Sequence, residues 1–197
     1  MKVTPDQKDA LTELVNIGVG HAASTLNSLI GHKIRLVVPS IEILSIQSII
    51  EHPQLCTEGD ISAVSMAFRG SFNGNASLMF PLESASTLVA VLTDEATDSP
   101  QLDELRSGTL AEVGNILLNG VMGSIGNMLS AALNYSVPAY HESSLSDILG
   151  HQQAEAVLVA RANFFVDELS IGGNILLFFE IESFQALIES VNMELSL

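Results

Sequence analysis

The sequence predicts an α+β fold, internally duplicated, with helix pairs packed on an antiparallel sheet about a pseudo-two-fold axis. Three observations predict it. The first is a gapless repeat. Asp9 to Pro39 and Gly108 to Pro138 each read Glu-x-x-Asn, then 22 residues, then Pro, 99 residues apart. Leu11 matches Leu110, Ile17 matches Ile116, Gly74-Asn75 match Gly173-Asn174, and Phe80 matches Phe179 at the same offset. The second is a set of apolar segments of strand length separated by turn residues, which implies antiparallel pairing. The third is helical periodicity at the start and end of each repeat. Helices covering one face of a sheet are the arrangement these elements imply.

Thr4-Pro5-Asp6-Gln7 opens the first helix: threonine caps, proline suits the first turn, and glutamine returns the capping-box bond. Leu11, Leu14, Val15 and Gly18 form its apolar stripe; Asp9, Glu13, Asn16 and Gly20 form a polar one. The Gly18-Val-Gly20 step is expected to kink or end this helix. Ala22 to Ile30 then reads as a second helix, stopped by Gly31. Lys33 to Val38 is a strand ended by Pro39, and Glu42 to Ile50 is apolar but ambiguous. Ile61 to Phe72 and Ala76 to Pro81 read as strands turning at Asn73-Gly74. Ser84 to Leu92 is helical. The polar stretch Thr93 to Pro100 links repeats 1–92 and 101–197, so 1–197 is one domain of two units. The second repeat gives helices over Leu102 to Leu117 and Val121 to Leu133, the latter with Gly123 and Gly126 on a close-packing face. Strands follow at Ser136-Val137, ended by Pro138, at Glu155 to Asp167 and at Asn174 to Ile181. Ser183 to Val191 is the last helix.

Apolar residues make up 47% of the 197, enough for a sizeable core. Seven basic against 23 acidic residues leave a net charge of −16, a field that repels nucleic acid and anionic membrane. It favours a partner with a basic patch, and it also serves solubility. No run approaches the roughly 18 apolar residues of a membrane helix. The start, MKVTPDQKD, lacks the apolar core of a signal peptide, and the lone Cys56 has no disulfide partner within the chain, so a cytoplasmic protein is expected.

Glu13 and Asn16 stand three apart on a helix, so they project side by side; Glu112 and Asn115 do the same. A solvated helical face is the plain reading. Asparagine is a poor interior helix former, and its recurrence in both copies weakens that reading. A carboxamide has no useful pKa near neutrality, but it can accept and donate hydrogen bonds and so orient a water. Orientation matters most where the electrophile is already reactive, as in phosphoryl transfer. A neighbouring carboxylate can grip a lysine or arginine of a partner. An acid and an amide without a metal cluster or nucleophile make half an active site.

Asp9, Glu13, Asn16 and Pro39 fit Asp/Ser-x-x-x-Glu-x-x-Asn-x22-Pro. That pattern resembles the signature of the CheC family of chemotaxis phosphatases (CheC, CheX and FliY), with CheC nearest in length. The second copy fits through Glu112, Asn115 and Pro138 but has Gly108 in the first position. The resemblance implies hydrolysis of the phospho-aspartate of a CheY-like response regulator. Asn16 and Asn115 would orient the water, Glu13 and Glu112 would dock on the regulator's lysine, and Asp9 would support the first site. Mg²⁺ would belong to the regulator, with no cofactor or metal in this chain. The resemblance adds CheD as a possible partner. A non-catalytic module that binds a regulator or CheD is the alternative, and a structural flagellar component a third reading. The family's FliM-like fold relatives lack the Glu–Asn pair.

Other signals are weaker. Gly18-Val-Gly20-His-Ala-Ala23 fits a loose dinucleotide fingerprint, but a capped helix precedes it where a strand is needed, and tight helix packing explains the glycines better. His21, His32, His52, His141 and His151 lack metal-ligand spacing. His21 lies about a turn from Asn16 and either borders the first site or faces solvent. Asn119 follows Asn115 by four and either extends the second site or faces solvent. Ser144 has no base at useful spacing.

Overall fold

The computed structural model describes residues 3–30, 33–52, 59–96, 102–150, 152, 154, 156–166 and 169–196. The first half runs α1 (Pro5–Ile30), β1 (Ile34–Val37), β2 (Ile41–Leu44), α2 (Ile46–Ile50), β3 (Asp60–Gly70), β4 (Gly74–Pro81) and α3 (Leu82–Thr93). The second runs α4 (Leu102–Met128), β5 (Leu133–Tyr135), β6 (Ala139–Ser144), α5 (Leu145–Gly150), β7 (Ala156–Val166), β8 (Leu169–Phe179) and α6 (Ile181–Glu194). The order of element types is thus the same in both halves.

One antiparallel sheet joins them in the order β1-β7-β8-β4-β3-β5, with β2 also on β7 and β6 also on β3. The short strands of each half therefore pair with the long hairpin of the other. At the centre, β4 on β8 sets Ser77 opposite Leu176, its own counterpart 99 positions on. The two hairpins differ in length: β7 and β8 pair as far as Val166 with Leu169, whereas β3 and β4 stop at Phe68 with Gly74.

The sheet is covered on both faces, a correction to the expectation of one. Leu158, Ala160, Ile175, Leu177 and Phe179 point to the large core beneath α1, α3, α4 and α6. Val157, Val159, Leu176 and Phe178, which alternate with them, point to a second core closed by Ile49 of α2 and Leu145, Ile148 and Leu149 of α5. Two covered faces explain why the central strands read as unbroken apolar runs rather than alternating ones. The short helices α2 and α5 went unassigned in the sequence, as did β6. The ambiguous stretch 42–50 splits into β2 and α2 at Ser45, whose hydroxyl accepts from the Ser48 backbone N–H at 3.1 Å and so caps α2.

The long helices are also a correction. Neither α1 nor α4 breaks at its glycines, and each is one continuous rod. A Cβ on Gly18 would stand 2.5 Å from Val121 Cα, and one on Gly120 would stand 2.9 Å from the Gly18 carbonyl oxygen. The glycines let two backbones touch, and that packing outweighs their propensity cost of about 1 kcal/mol each. Helix α4 ends at Met128, not Leu133, and the strand expected at Ser136-Val137 lies earlier, at Leu133–Tyr135. Gly31, Cys56, His32, His151 and the linker's last residues fall outside the described residues.

Candidate functional site

In the first repeat, Asn16 faces β1. Its Nδ2 donates to the Val38 carbonyl at 2.8 Å and to the Thr12 carbonyl at 3.1 Å, while its Oδ1 accepts from the Val38 N–H at 3.1 Å. Pro39 makes this possible, because a residue before proline is held extended and here presents both backbone groups sideways. Asn27, three turns further along α1, does the same to Ile34: Nδ2 to its carbonyl at 3.0 Å, Oδ1 from its N–H at 2.5 Å. Two asparagines thus clip both ends of β1, a sheet-edge strand whose outer groups need partners. Val38 is 1% exposed.

Glu13 is exposed and lines a different feature. It borders an apolar groove of about 140 Å³ with Leu14, Ile17, Met128, Val191, Glu194 and Leu195. Asp9 is exposed one turn earlier. This groove does not bring the first repeat's amide, Asn16, beside its acid.

The second repeat brings the two together. Gly108, Glu112, Asn115 and Asn119 of α4 line an open cleft of about 550 Å³ whose far wall is Tyr135 to Pro138. Here Val137, the counterpart of Val38, is 88% exposed. The cause is local. The Ser136 N–H donates to the Ala67 carbonyl at 2.9 Å, and its hydroxyl accepts from the Ala67 N–H at 2.9 Å. That ties the segment to β3 and swings Val137 outward, away from the helix. Asn115, with no strand to clip, is held instead by Asn119, whose Nδ2 donates to its backbone carbonyl at 2.8 Å and to its Oδ1 at 2.7 Å. Gly108 borders open space, where a Cβ would meet nothing within 4 Å. Burial pushes the Tyr135 phenol above its ordinary range, so it stays protonated at neutral pH.

Sequence reasoning paired Glu112 with Asn115 but missed the wall opposite. Val137, Tyr135 and Ser136 carry no motif, and only the ladder on β3 exposes them. His21 is exposed and lines neither cleft. Among the described residues no group of three His, Cys, Asp or Glu could hold a metal ion, and no helix is long and apolar enough to cross a membrane.

The fold and the paired acid and amide are similar to those of CheC-like proteins. A CheC-like family model matches residues 7–43, which takes in Asp9, Glu13, Asn16 and Pro39 and stops before the second repeat. The chain is 28% identical over 141 residues to the CheY-P phosphatase CheC of Bacillus subtilis (strain 168), a match spanning 69% of this chain and 66% of that protein, just under two thirds of its length. The Thermotoga maritima FliY structure superposes with a TM-score of 0.79 at 18% identity, covering 98% of this chain and all of that one. CheX in the CheX-CheY-BeF3-Mg²⁺ complex of Borrelia burgdorferi gives 0.55 at 16% identity, over 86% of this chain and 99% of that one. The two structures carry the fold alone. The resemblance to the CheC family read from the sequence is borne out by the family model, the curated relative and the fold.

Proposed function

We propose that this protein is a cytoplasmic phosphatase that hydrolyses the phospho-aspartate of a CheY-like response regulator, working chiefly at its second site. One observation carries the reading: Glu112 and Asn115 stand side by side on an open cleft, with the Asn115 carboxamide held at its oxygen and its amino end available. Glu112 would pair with the regulator's lysine and Asn115 would orient the attacking water, which needs placement rather than activation. Water bonds to phosphorus, the acyl P–O bond breaks, and the regulator's aspartate leaves as carboxylate. Mg²⁺ would sit on the regulator and stabilise the transferring group's charge there.

Two comparisons support a CheY-like partner. The curated relative is named a CheY-P phosphatase, and a protein of this fold is bound to CheY in the complex above. No described residue speaks for CheD. At the first site the clip on Val38 favours a docking role for Glu13, supported by Asp9, over water positioning by Asn16. One domain built from two repeats would then hold one working and one docking site.

The test is phosphate release from an acetyl-phosphate-charged, Mg²⁺-bound CheY-like receiver of the same organism. Asn115→Ala is expected to lose about 100-fold of the acceleration, a typical cost of misplacing a reacting group. Asn16→Ala, in the fraction that stays folded, is expected to keep it. Equal losses in both would show two equivalent sites. A native protein without acceleration would leave the binding-module reading.

A further inference from the structure

Asn119 touches no catalytic pattern in the sequence, and its counterpart 99 positions earlier is Gly20, which has no side chain. Its place in the second cleft is nevertheless constrained. The Asn119 Nδ2 donates to two acceptors at once, the Asn115 backbone carbonyl at 2.8 Å and the Asn115 Oδ1 at 2.7 Å. The backbone carbonyl settles which end of the Asn119 amide faces it, because only the amino end can donate. The same amino end then fixes the Asn115 amide, since only an oxygen can accept from it. Asn115, which lines the cleft together with Asn119, is left with a second lone pair on Oδ1 and an undirected amino group. In the first repeat the equivalent carboxamide gives both amino hydrogens to the Val38 and Thr12 carbonyls and takes the Val38 N–H on its oxygen.

We infer that Asn119 is a positioning residue: it locks the Asn115 carboxamide in the one orientation that leaves its accepting and donating groups on the cleft. This rests on the phosphatase reading above. A side chain already fixed by a neighbouring hydrogen bond gives up less freedom when it meets water and phosphoryl group, so the gain is felt in turnover rather than in docking. Glu112, which docks, has no part in the lock.

The experiment compares native protein, Asn115→Ala, Asn119→Ala, Asn119→Asp and Asn119→Gln on the charged receiver, with kcat and KM separated. Asn119→Ala is expected to lower kcat by about 10-fold, on the scale of one lost orienting contact, with KM little changed. Asn119→Asp has the same shape but no amide donor, so it should fall at least as far. Asn119→Gln keeps a donor and should recover part of the loss. The melting temperature of Asn119→Ala should not drop, because alanine is the better helix former. A native kcat in Asn119→Ala, a loss confined to KM, or a loss tracking the melting temperature overturns the inference. If those results come with an inactive Asn115→Ala, the phosphatase reading stands without it. If native protein fails to accelerate release, both fall together.

Discussion

An asparagine inside a helix reaches only what lies within about a turn or directly across from it, so its neighbours decide what it does. At Asn16 the neighbour is the backbone of Val38, buried and extended before Pro39, and the carboxamide closes two hydrogen bonds on it. Removing it would orphan a buried N–H and a buried carbonyl, at roughly 1–3 kcal/mol for each unsatisfied group. Asn16→Ala should therefore lower the chemical-denaturation free energy by about 2–4 kcal/mol, as Asn27→Ala should at the other end of β1. Asn115→Ala leaves no strand group unpaired and should cost little. Equal stability losses at positions 16 and 115 would sink the distinction. The shared Glu-x-x-Asn-x22-Pro pattern was legible in the sequence. The difference between its copies was not, because it depends on Ser136 pairing with Ala67, a contact 69 residues away in the chain.

At the scale of elements, helices were easier to find than to bound. The capping box at Thr4 and Gln7 forms as read, with Thr4 N–H to Gln7 Oε1 at 2.8 Å and Gln7 N–H to Thr4 Oγ1 at 3.2 Å. Gly18 misled, because a glycine reads the same whether it weakens a helix or lets another backbone approach. The short elements α2, α5, β5 and β6 leave too few residues for a period to register. The hairpin does form, but its turn is Ser71–Asn73 rather than Asn73-Gly74: β3 ends at Gly70, and Gly74 already pairs with Phe68 as the first residue of β4. The two uses of glycine make opposite predictions for one substitution. Gly108→Ala faces open space on an exposed helix and should raise stability by up to about 1 kcal/mol. Gly18→Ala drives a methyl group into the Val121 backbone and should lower it by about 1–3 kcal/mol despite the better propensity. Paired thermal melts check both signs, and a gain at Gly18 would show that the contact between α1 and α4 is slack.

Across the whole molecule, the pairing order decides whether the halves are independent. Strands β1 and β2 lie on β7, and β5 and β6 lie on β3, so each half lends its short strands to the other's hairpin. The β4–β8 pair then ties the hairpins together. Cutting the chain in the polar linker would leave β3 and β4 each with an unpaired edge and β1 with nothing to pair on. It would also part α1 from α4 along the glycine contact, exposing Val19, Ala22, Val121 and Ile125 of the shared core. Fragments 1–96 and 102–197, made separately, are each expected to melt without a cooperative transition. Mixed at equal concentration, they should recover one transition whose midpoint rises with concentration, as a two-chain fold requires. Because the halves share an element order, a fragment could instead fold against a second copy of itself. That case shows as a concentration-dependent transition in the fragment alone and would mean that either half can fill the other's seat. A cooperative, concentration-independent melt of an isolated fragment would be the defeating result. It would show that each repeat holds its own core, contrary to a sheet in which every short strand is borrowed.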